Sequence, residues 1–286
     1  IISHSHSIAK GVLTNMNQIH ICYCHTPMRY AWHHQFQYLK ETNNETGLKR
    51  ILISFFLHKL RMWDISNSNG VDYFLSNSLN IQKRIYKTYR RNSDVLYPPV
   101  DTDYFSIQTK KKDYYVTASR LVPYKKIDEI VKAFAFNSDK NLIVIGKGPD
   151  LKKIKKLALK HKNIEIMGYQ KMEILKEKLQ NAKAFIFAAE EDFGIAPLEA
   201  QSCGTPVIAF NQGGSLETVL DKDKSREPTG VFFDQQNAEK ISSALREFEA
   251  NIHLYKPENC RKNAQNFSNT NFRSNFVKLI KNKINE

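Results

Sequence analysis

The sequence predicts an α/β protein of two domains, each built on a parallel, doubly wound sheet. Three observations carry that prediction. Short continuous apolar runs alternate with helical patterns through the second half of the chain, as expected for strands covered on both faces. The chain has 286 residues, 41% of them apolar, enough for two packed cores. A Pro98-Pro99 pair separates two stretches of different pattern, because proline favours extended chain for itself and for its predecessor.

In chain order, IISHSHS reads as the end of a strand. The chain starts with Ile, not Met, and no earlier strand is there to pair with this one, so a truncated first domain is expected. IHICYC is a buried strand, followed by a helix from Gly47 to about Ser66 and a strand at Tyr73 to Ser76. A helix near Leu79 to Tyr86 and a short strand within DVLYPPV complete the first half. Beyond it, strands are expected at Tyr114 to Ala118, Asn141 to Ile145, Asn163 to Met167, Ala184 to Ala189, Pro206 to Phe210 and Gly230 to Phe233. Helices fall between them, near Ile127 to Phe136, Leu151 to His161, Lys171 to Gln180, Pro197 to Cys203 and Leu216 to Leu220. The tail from Asn237 to Ile284 reads as two or three helices.

Charge narrows the partners. Lys and Arg number 43 against 29 acids, a formal charge of +14, which favours a nucleotide, a phospholipid surface or nucleic acid. Nucleic acid is disfavoured, because the charge is spread over both halves and no stacking or recognition-helix motif appears. Cys22, Cys24, Cys203 and Cys260 have no framework spacing, so a reducing, cytoplasmic setting is expected. No apolar run reaches the ~18 residues that cross a bilayer, and no signal peptide is seen. The segment LKRILISFFLHKLRMW (48–63) reads as a core helix with a basic outer face. Its alternative is an amphipathic helix resting on anionic lipid.

Several stretches suggest chemistry. In EEDFGIAPLEAQSCGTP (190–206), a loop of acids after a strand leads into a short helix capped by Gly204. Glu191 and Glu199 are expected to face one crevice at the carboxyl edge of the sheet, where carboxylates suit a polyhydroxyl ligand. The competing explanation is acids placed against a helix dipole. TASRLVPYKKID places Arg120, Lys125 and Lys126 between a strand end and a helix start, an anion site for a diphosphate or else a solvated basic loop. VIGKGP is neither a dinucleotide fingerprint nor a P-loop. Gly146 and Gly148 permit close approach of a nucleotide, or simply a tight turn. NQGGSLETVL places Ser215 as a helix cap. CYCHTP puts His25 at a strand's carboxyl end, where it can donate to a substrate or shuttle a proton. Zinc at Cys22, Cys24, His25, His33 and His34 is disfavoured, since the cysteines share a face from which His25 is turned. The His-x-His of SHSHS reads as a polar loop.

Taken together, SRLVPYKKID, VIGKGP and EEDFGIAPLEAQSCGTPVIAFNQGG closely resemble the donor half of retaining glycosyltransferases of family 4. Glu191 and Glu199 match the family's E-x7-E pattern, while HSHSIAKGV and HTPMRYAW resemble bacterial O-antigen mannosyltransferases. The resemblance implies a GT-B fold, two Rossmann-like domains facing a cleft. The expected division is 1–99 for the acceptor side, 100–268 for the donor side and a helix at 269–286 packing back on the first domain. It implies Arg120 and Lys125 on the donor diphosphate, Glu191 on the transferred sugar, Glu199 on the ribose, and His25 beside the sugar. The amides of Phe193, Gly194 and Ile195 would lie near sugar or phosphate. The family's opening strand and Gly-rich loop have no match in this sequence. The expected reaction moves a hexose, mannose from GDP-mannose, to a glycan or lipid-linked acceptor in cell-surface glycan synthesis. No cofactor or metal is expected, since no D-x-D site is seen. A sugar-nucleotide epimerase of the same fold is the alternative, and an anionic membrane surface is a further expected partner.

Overall fold

The structure, a computed structural model, describes residues 1–32, 35, 39 and 46–285. The chain divides into two compact units, Ile1–Tyr97 with Ser274–Glu286, and Pro98–Arg273. The expected boundaries at 99/100 and 268/269 thus stand beside observed ones at 97/98 and 273/274.

In the first unit, β1 (Ile2–Ser5), β2 (Ile21–Cys24), β3 (Tyr73–Ser76) and β4 (Ser93–Val95) form a parallel sheet in chain order. Two long helices accompany it, α1 (Gly47–Ser68) and α2 (Leu79–Tyr89). Ser78 starts α2, its side chain accepting from the Ile81 amide at 3.1 Å, and Arg90 ends it in a left-handed conformation. The i, i+4, i+8 set Ile81, Ile85 and Tyr89 is buried with Cys22, Cys24 and Phe74. Both cysteines are therefore core side chains, each contributing apolar burial.

A buried polar hub ties α1 to the start of the chain. Lys10 and Asp64 form an ion pair in which both side chains are almost fully buried. Asp64 also accepts from Trp32 Nε1 at 2.8 Å and from the Tyr89 hydroxyl at 2.7 Å, while Lys10 donates to the Ser7 carbonyl at 2.8 Å. A buried ion pair is tolerated when its remaining capacity is met in this way.

The structure corrects the reading of α1 as a core helix. Among its described residues only Asp64 and Ser68 are buried, and large apolar side chains face solvent. The reason is that its apolar residues lie on two faces. Ile53, Leu57 and Leu60 are half-buried on one side, while Leu48, Leu52 and Phe55 stand exposed on the other. A sequence pattern apolar all round does not show which face turns inward.

The second unit alternates strand and helix strictly. Its elements are β5 (Tyr115–Ala118), α3 (Ile127–Phe136), β6 (Leu142–Ile145), α4 (Leu151–Ala158), β7 (Ile164–Gly168) and α5 (Met172–Asn181). Then come β8 (Ala184–Phe187), α6 (Ile195–Ser202), β9 (Val207–Phe210), α7 (Ser215–Thr218) and β10 (Gly230–Phe233). Helices α8 (Ala238–Ala250), α9 (Pro257–Gln265) and α10 (Asn269–Asn285) close the chain. The strands are parallel in the order β10-β9-β8-β5-β6-β7. Successive residues along each strand feed two cores. Tyr115, Leu142, Val144 and Ile186 pack on one side, and Val116, Ile143, Ile145 and Phe185 on the other. That two-sided burial is why the strands read as continuous apolar runs, and each such side chain contributes about 1.5–3 kcal/mol. The strand order reverses between β5 and β8, so the loops after β5, β6 and β8 converge at the carboxyl edge.

The last helix, α10, begins in the second unit and ends in the first. There Lys283 lies 3.4 Å from Asp94 and 5.0 Å above the Tyr73 ring.

Candidate active site

The loop after β5 makes one tight turn at Pro123–Lys125, and Lys126, in a left-handed conformation, leads into α3. It is stitched to the loop after β6. The Leu121 amide donates to the Lys147 carbonyl at 2.9 Å, and the Asp150 amide donates to the Leu121 carbonyl at 3.1 Å. This contact explains the glycines. A Cβ on Gly146 would stand 1.8 Å from the Ser119 carbonyl oxygen, at a φ of +144°. One on Gly148 would stand 2.2 Å from the Leu121 oxygen. Side chains are excluded because two backbones touch.

These loops open a cavity of about 640 Å³ at the point where the strand order reverses. Arg120, Gly146, Gly148 and Glu199 line it, over an apolar floor that includes Met172 and Phe185. Two cationic residues, Arg120 and Lys147, one carboxyl group and two bare backbone segments above an apolar floor suit a flat ring carrying hydroxyls and an anionic tail. Burial pushes the Glu199 carboxyl up to about 7.

Glu191 is held differently from Glu199. Helix α6 begins at Ile195, after Gly194 at a φ of +90°, so Glu199 sits in the second turn and reaches the cavity. Glu191 instead pairs with Lys125, with 2.5 Å between Oε1 and Nζ. The Lys125 ammonium also lies 5.8 Å over the Phe187 ring. Neither residue lines the cavity that holds Arg120.

The acidic loop rests on Gly213 and Gly214, a support the sequence reading missed. The Gly214 amide donates to the Glu191 carbonyl at 2.8 Å, and a Cβ on Gly214 would fall 2.2 Å from the Phe193 Cα. The paired glycines were the available signal. Phe193 is buried against the Phe267 ring, 5.6 Å away, and Ile195 is exposed. Ser215 does not cap a helix as expected. Its hydroxyl donates to the Phe210 and Gln212 carbonyls at 2.6 and 2.8 Å, closing the turn after β9.

His25 belongs to the first unit, whereas every other expected site residue belongs to the second. Its amide donates to the Ser5 carbonyl at 2.7 Å, and its ring stands 4.9 Å from Tyr23 and 5.8 Å from His4. Burial, with His4 and His6 nearby, pulls its pKa below the ordinary histidine value and favours a neutral ring. Among the described residues no group of three or more His, Cys, Asp or Glu is placed to hold a metal ion. His33 and His34 lie outside the described residues.

Residues 101–267, more than half of the chain, match the model of the family described as glycosyl transferases group 1. The chain is 32% identical over 142 residues to a GDP-mannose-dependent monoacylated alpha-(1-6)-phosphatidylinositol monomannoside mannosyltransferase of Corynebacterium glutamicum, covering 45% of this chain and 36% of that one. It is 26% identical over 215 residues to an O-antigen chain mannosyltransferase of Salmonella typhimurium, covering 68% and 59% respectively. The crystal structure of the Anabaena protein HepE in complex with UDP superposes with a TM-score of 0.72 at 14% identity, covering 93% of this chain and 73% of that one. The chain spans less than two thirds of the length of these two mannosyltransferases.

Proposed function

The chain belongs to the glycosyl transferases group 1 family and has the GT-B fold of its structural relatives, and from that premise we propose a retaining mannosyltransferase of family 4. It takes mannose from GDP-mannose to a glycan or lipid-linked glycan acceptor in cell-surface glycan synthesis, at the cytoplasmic face of a membrane. The observation that carries this reading is the cavity where the sheet order reverses, which brings Arg120, Gly146, Gly148 and Glu199 together inside the family-matched segment. The mannosyl donor is supported by the names of the relatives, which also favour transfer over epimerisation.

In this proposal Glu199 accepts from the ribose hydroxyls and Arg120 holds the diphosphate. As the bond from the sugar's anomeric carbon to phosphate oxygen breaks, its electron pair leaves with the nucleoside diphosphate. The acceptor hydroxyl adds to the same face, and its proton passes to the departing phosphate oxygen. Arg120 stabilises the charge that develops there, a contribution of about 3 kcal/mol for one well-placed donor. The Lys125–Glu191 pair positions the sugar, the Glu191 carboxylate accepting from its hydroxyls while Lys125 offsets its charge. The amides of Phe193, Gly194 and Ile195 flank sugar or phosphate. The role of His25 beside the sugar rests on its match to the family histidine alone.

The test is turnover of GDP-mannose and of UDP-hexoses, with and without a lipid-linked glycan extract. GDP release that requires acceptor, and that Arg120→Ala abolishes, is expected. Conversion of the sugar nucleotide to an epimer without acceptor would overturn the reading.

A further inference from the structure

We infer that Lys111 and Arg261 are positioning residues for Glu199, clamping the carboxyl end of α6 so that the Glu199 side chain stays in the cavity. The inference deepens the proposed donor site and rests on the reading of Glu199 as the ligand of the nucleotide ribose.

Helix α6 has 8 residues and starts after left-handed Gly194, which has no side chain to cap it. A helix this short is not held by its own hydrogen bonds, and its last carbonyls have no partner within the helix. Two cations meet those carbonyls. Arg261, on α9, donates through Nη1 to the Ser202 carbonyl at 3.2 Å, and from the same nitrogen to the Thr102 and Phe105 carbonyls at 2.5 and 2.9 Å. Lys111 donates to the Cys203 carbonyl at 3.0 Å, to the Gln180 carbonyl at 2.8 Å and to the Thr205 hydroxyl at 2.8 Å. Those acceptors use all the hydrogens of the ammonium. Positive charge at the carboxyl end of a helix also complements its dipole. Both side chains thereby bind α6 to the segment before β5, whose Gln108 amide adds a bond to the Cys203 carbonyl at 3.1 Å.

Glu199 is one hydrogen bond away. Its carbonyl accepts from the Cys203 amide at 3.2 Å, and the Cys203 carbonyl is the one Lys111 holds. The surroundings leave no slack. A Cβ on Gly204 would stand 2.9 Å from both Ile107 Cγ1 and Pro257 Cβ. The Gln201 side chain donates to the Thr218 carbonyl at 2.8 Å and accepts from Asn263 at 2.7 Å. Neither Lys111 nor Arg261 lines the cavity. Burial, not a neighbouring charge, raises the Glu199 carboxyl, so the two cations reach it through the placement of the helix.

The test compares Lys111→Met and Arg261→Met with two controls. Arg261→Lys keeps the charge. Lys140→Met weakens the same unit elsewhere, by removing the partner of Asp139 and Glu249. The first readout needs no nucleotide. It is the titration of the Glu199 carboxyl by carbon NMR, assigned by its loss in Glu199→Gln, and followed below about pH 8, where the buried Lys111 ammonium keeps its proton. The parent midpoint of about 7 should fall toward 4.5 in both methionine variants, because water reaches a carboxyl that is no longer held. The second readout is the preference for GDP over 2′,3′-dideoxy-GDP, which lacks the hydroxyls that Glu199 would accept from. Both methionine variants should lose about tenfold of that preference, while Arg261→Lys and Lys140→Met keep it. A merely structural role would weaken both nucleotides together and would show in Lys140→Met as well, and that result would overturn the proposal. So would methionine variants in which the titration and the preference stay as in the parent. A parent without any preference for GDP would refute the ribose reading instead, and an unmoved Glu199 titration would then by itself overturn the proposal.

Discussion

Replacing Glu199 with glutamine removes a carboxyl whose burial has a calculable pH signature. Burial raises its pKa from 4.5 to about 7. Each pKa unit corresponds to about 1.4 kcal/mol, so the ionised form is disfavoured in the folded protein by about 3 kcal/mol at most. Water entering through the cavity mouth reduces this to about 2 kcal/mol. The folded protein holds the proton more tightly than the unfolded chain. This contribution to stability is therefore fully present below pH 4.5, declines as pH rises toward 7, and is lost above it. A glutamine at this position does not titrate and has no such dependence. Urea unfolding of the second unit, compared at about pH 5 and about pH 8, should show the Glu199→Gln variant gaining about 2 kcal/mol relative to the parent as pH rises. A difference between the two proteins that is the same at both pH values would count against this burial argument. It would mean that the carboxyl is solvated or already paired.

Further outcomes follow from the same geometry. Asp64→Ala leaves the Lys10 ammonium buried without its carboxylate and strands the Trp32 and Tyr89 donors, and denaturant titration should show the first unit weakened by about 3–5 kcal/mol. Gly146→Ala drives a Cβ into the Ser119 carbonyl and should abolish nucleotide binding while the first unit stays folded, a separation that hydrogen exchange reads directly. Lys125→Ala leaves Glu191 without its cation but does not touch the cavity wall, so turnover should fall on the order of tenfold to a hundredfold while GDP affinity changes little.

Much of this organisation was legible in sequence because the physics is local. A strand covered on both faces must be apolar at every position, so VIAF and AFIF declare themselves. Gly204, at a φ of +72°, closes α6 as a short helix before Pro206 should. What escaped depends on contacts between distant residues. Lys10 and Asp64 are 54 positions apart, and neither residue type alone suggests a buried pair. Glu191 and Glu199 looked equivalent because their offset from the strand gives no rotation about the helix axis. Once α6 starts at Ile195, one meets Lys125 and the other the cavity. Gly146 and Gly148 looked like a nucleotide approach, yet their first constraint is the neighbouring loop at Ser119 and Leu121. The exposed side of α1 was hidden for a different reason. Period alone marks apolar faces, and only packing decides which of two is covered.

Everything proposed for the donor depends on the cavity beside Arg120 and Glu199 binding a nucleoside diphosphate. The decisive experiment is calorimetric titration of GDP, GDP-mannose and UDP-sugars, on the parent protein and on Arg120→Ala. Saturable binding of GDP and GDP-mannose is expected, weakened about tenfold to a hundredfold by loss of the charge-assisted hydrogen bonds of Arg120. Preference for UDP-sugars would retain the transferase and replace the mannosyl donor. A folded protein that binds none of these nucleotides, or an Arg120→Ala variant that binds as tightly as the parent, would show that the donor does not bind there.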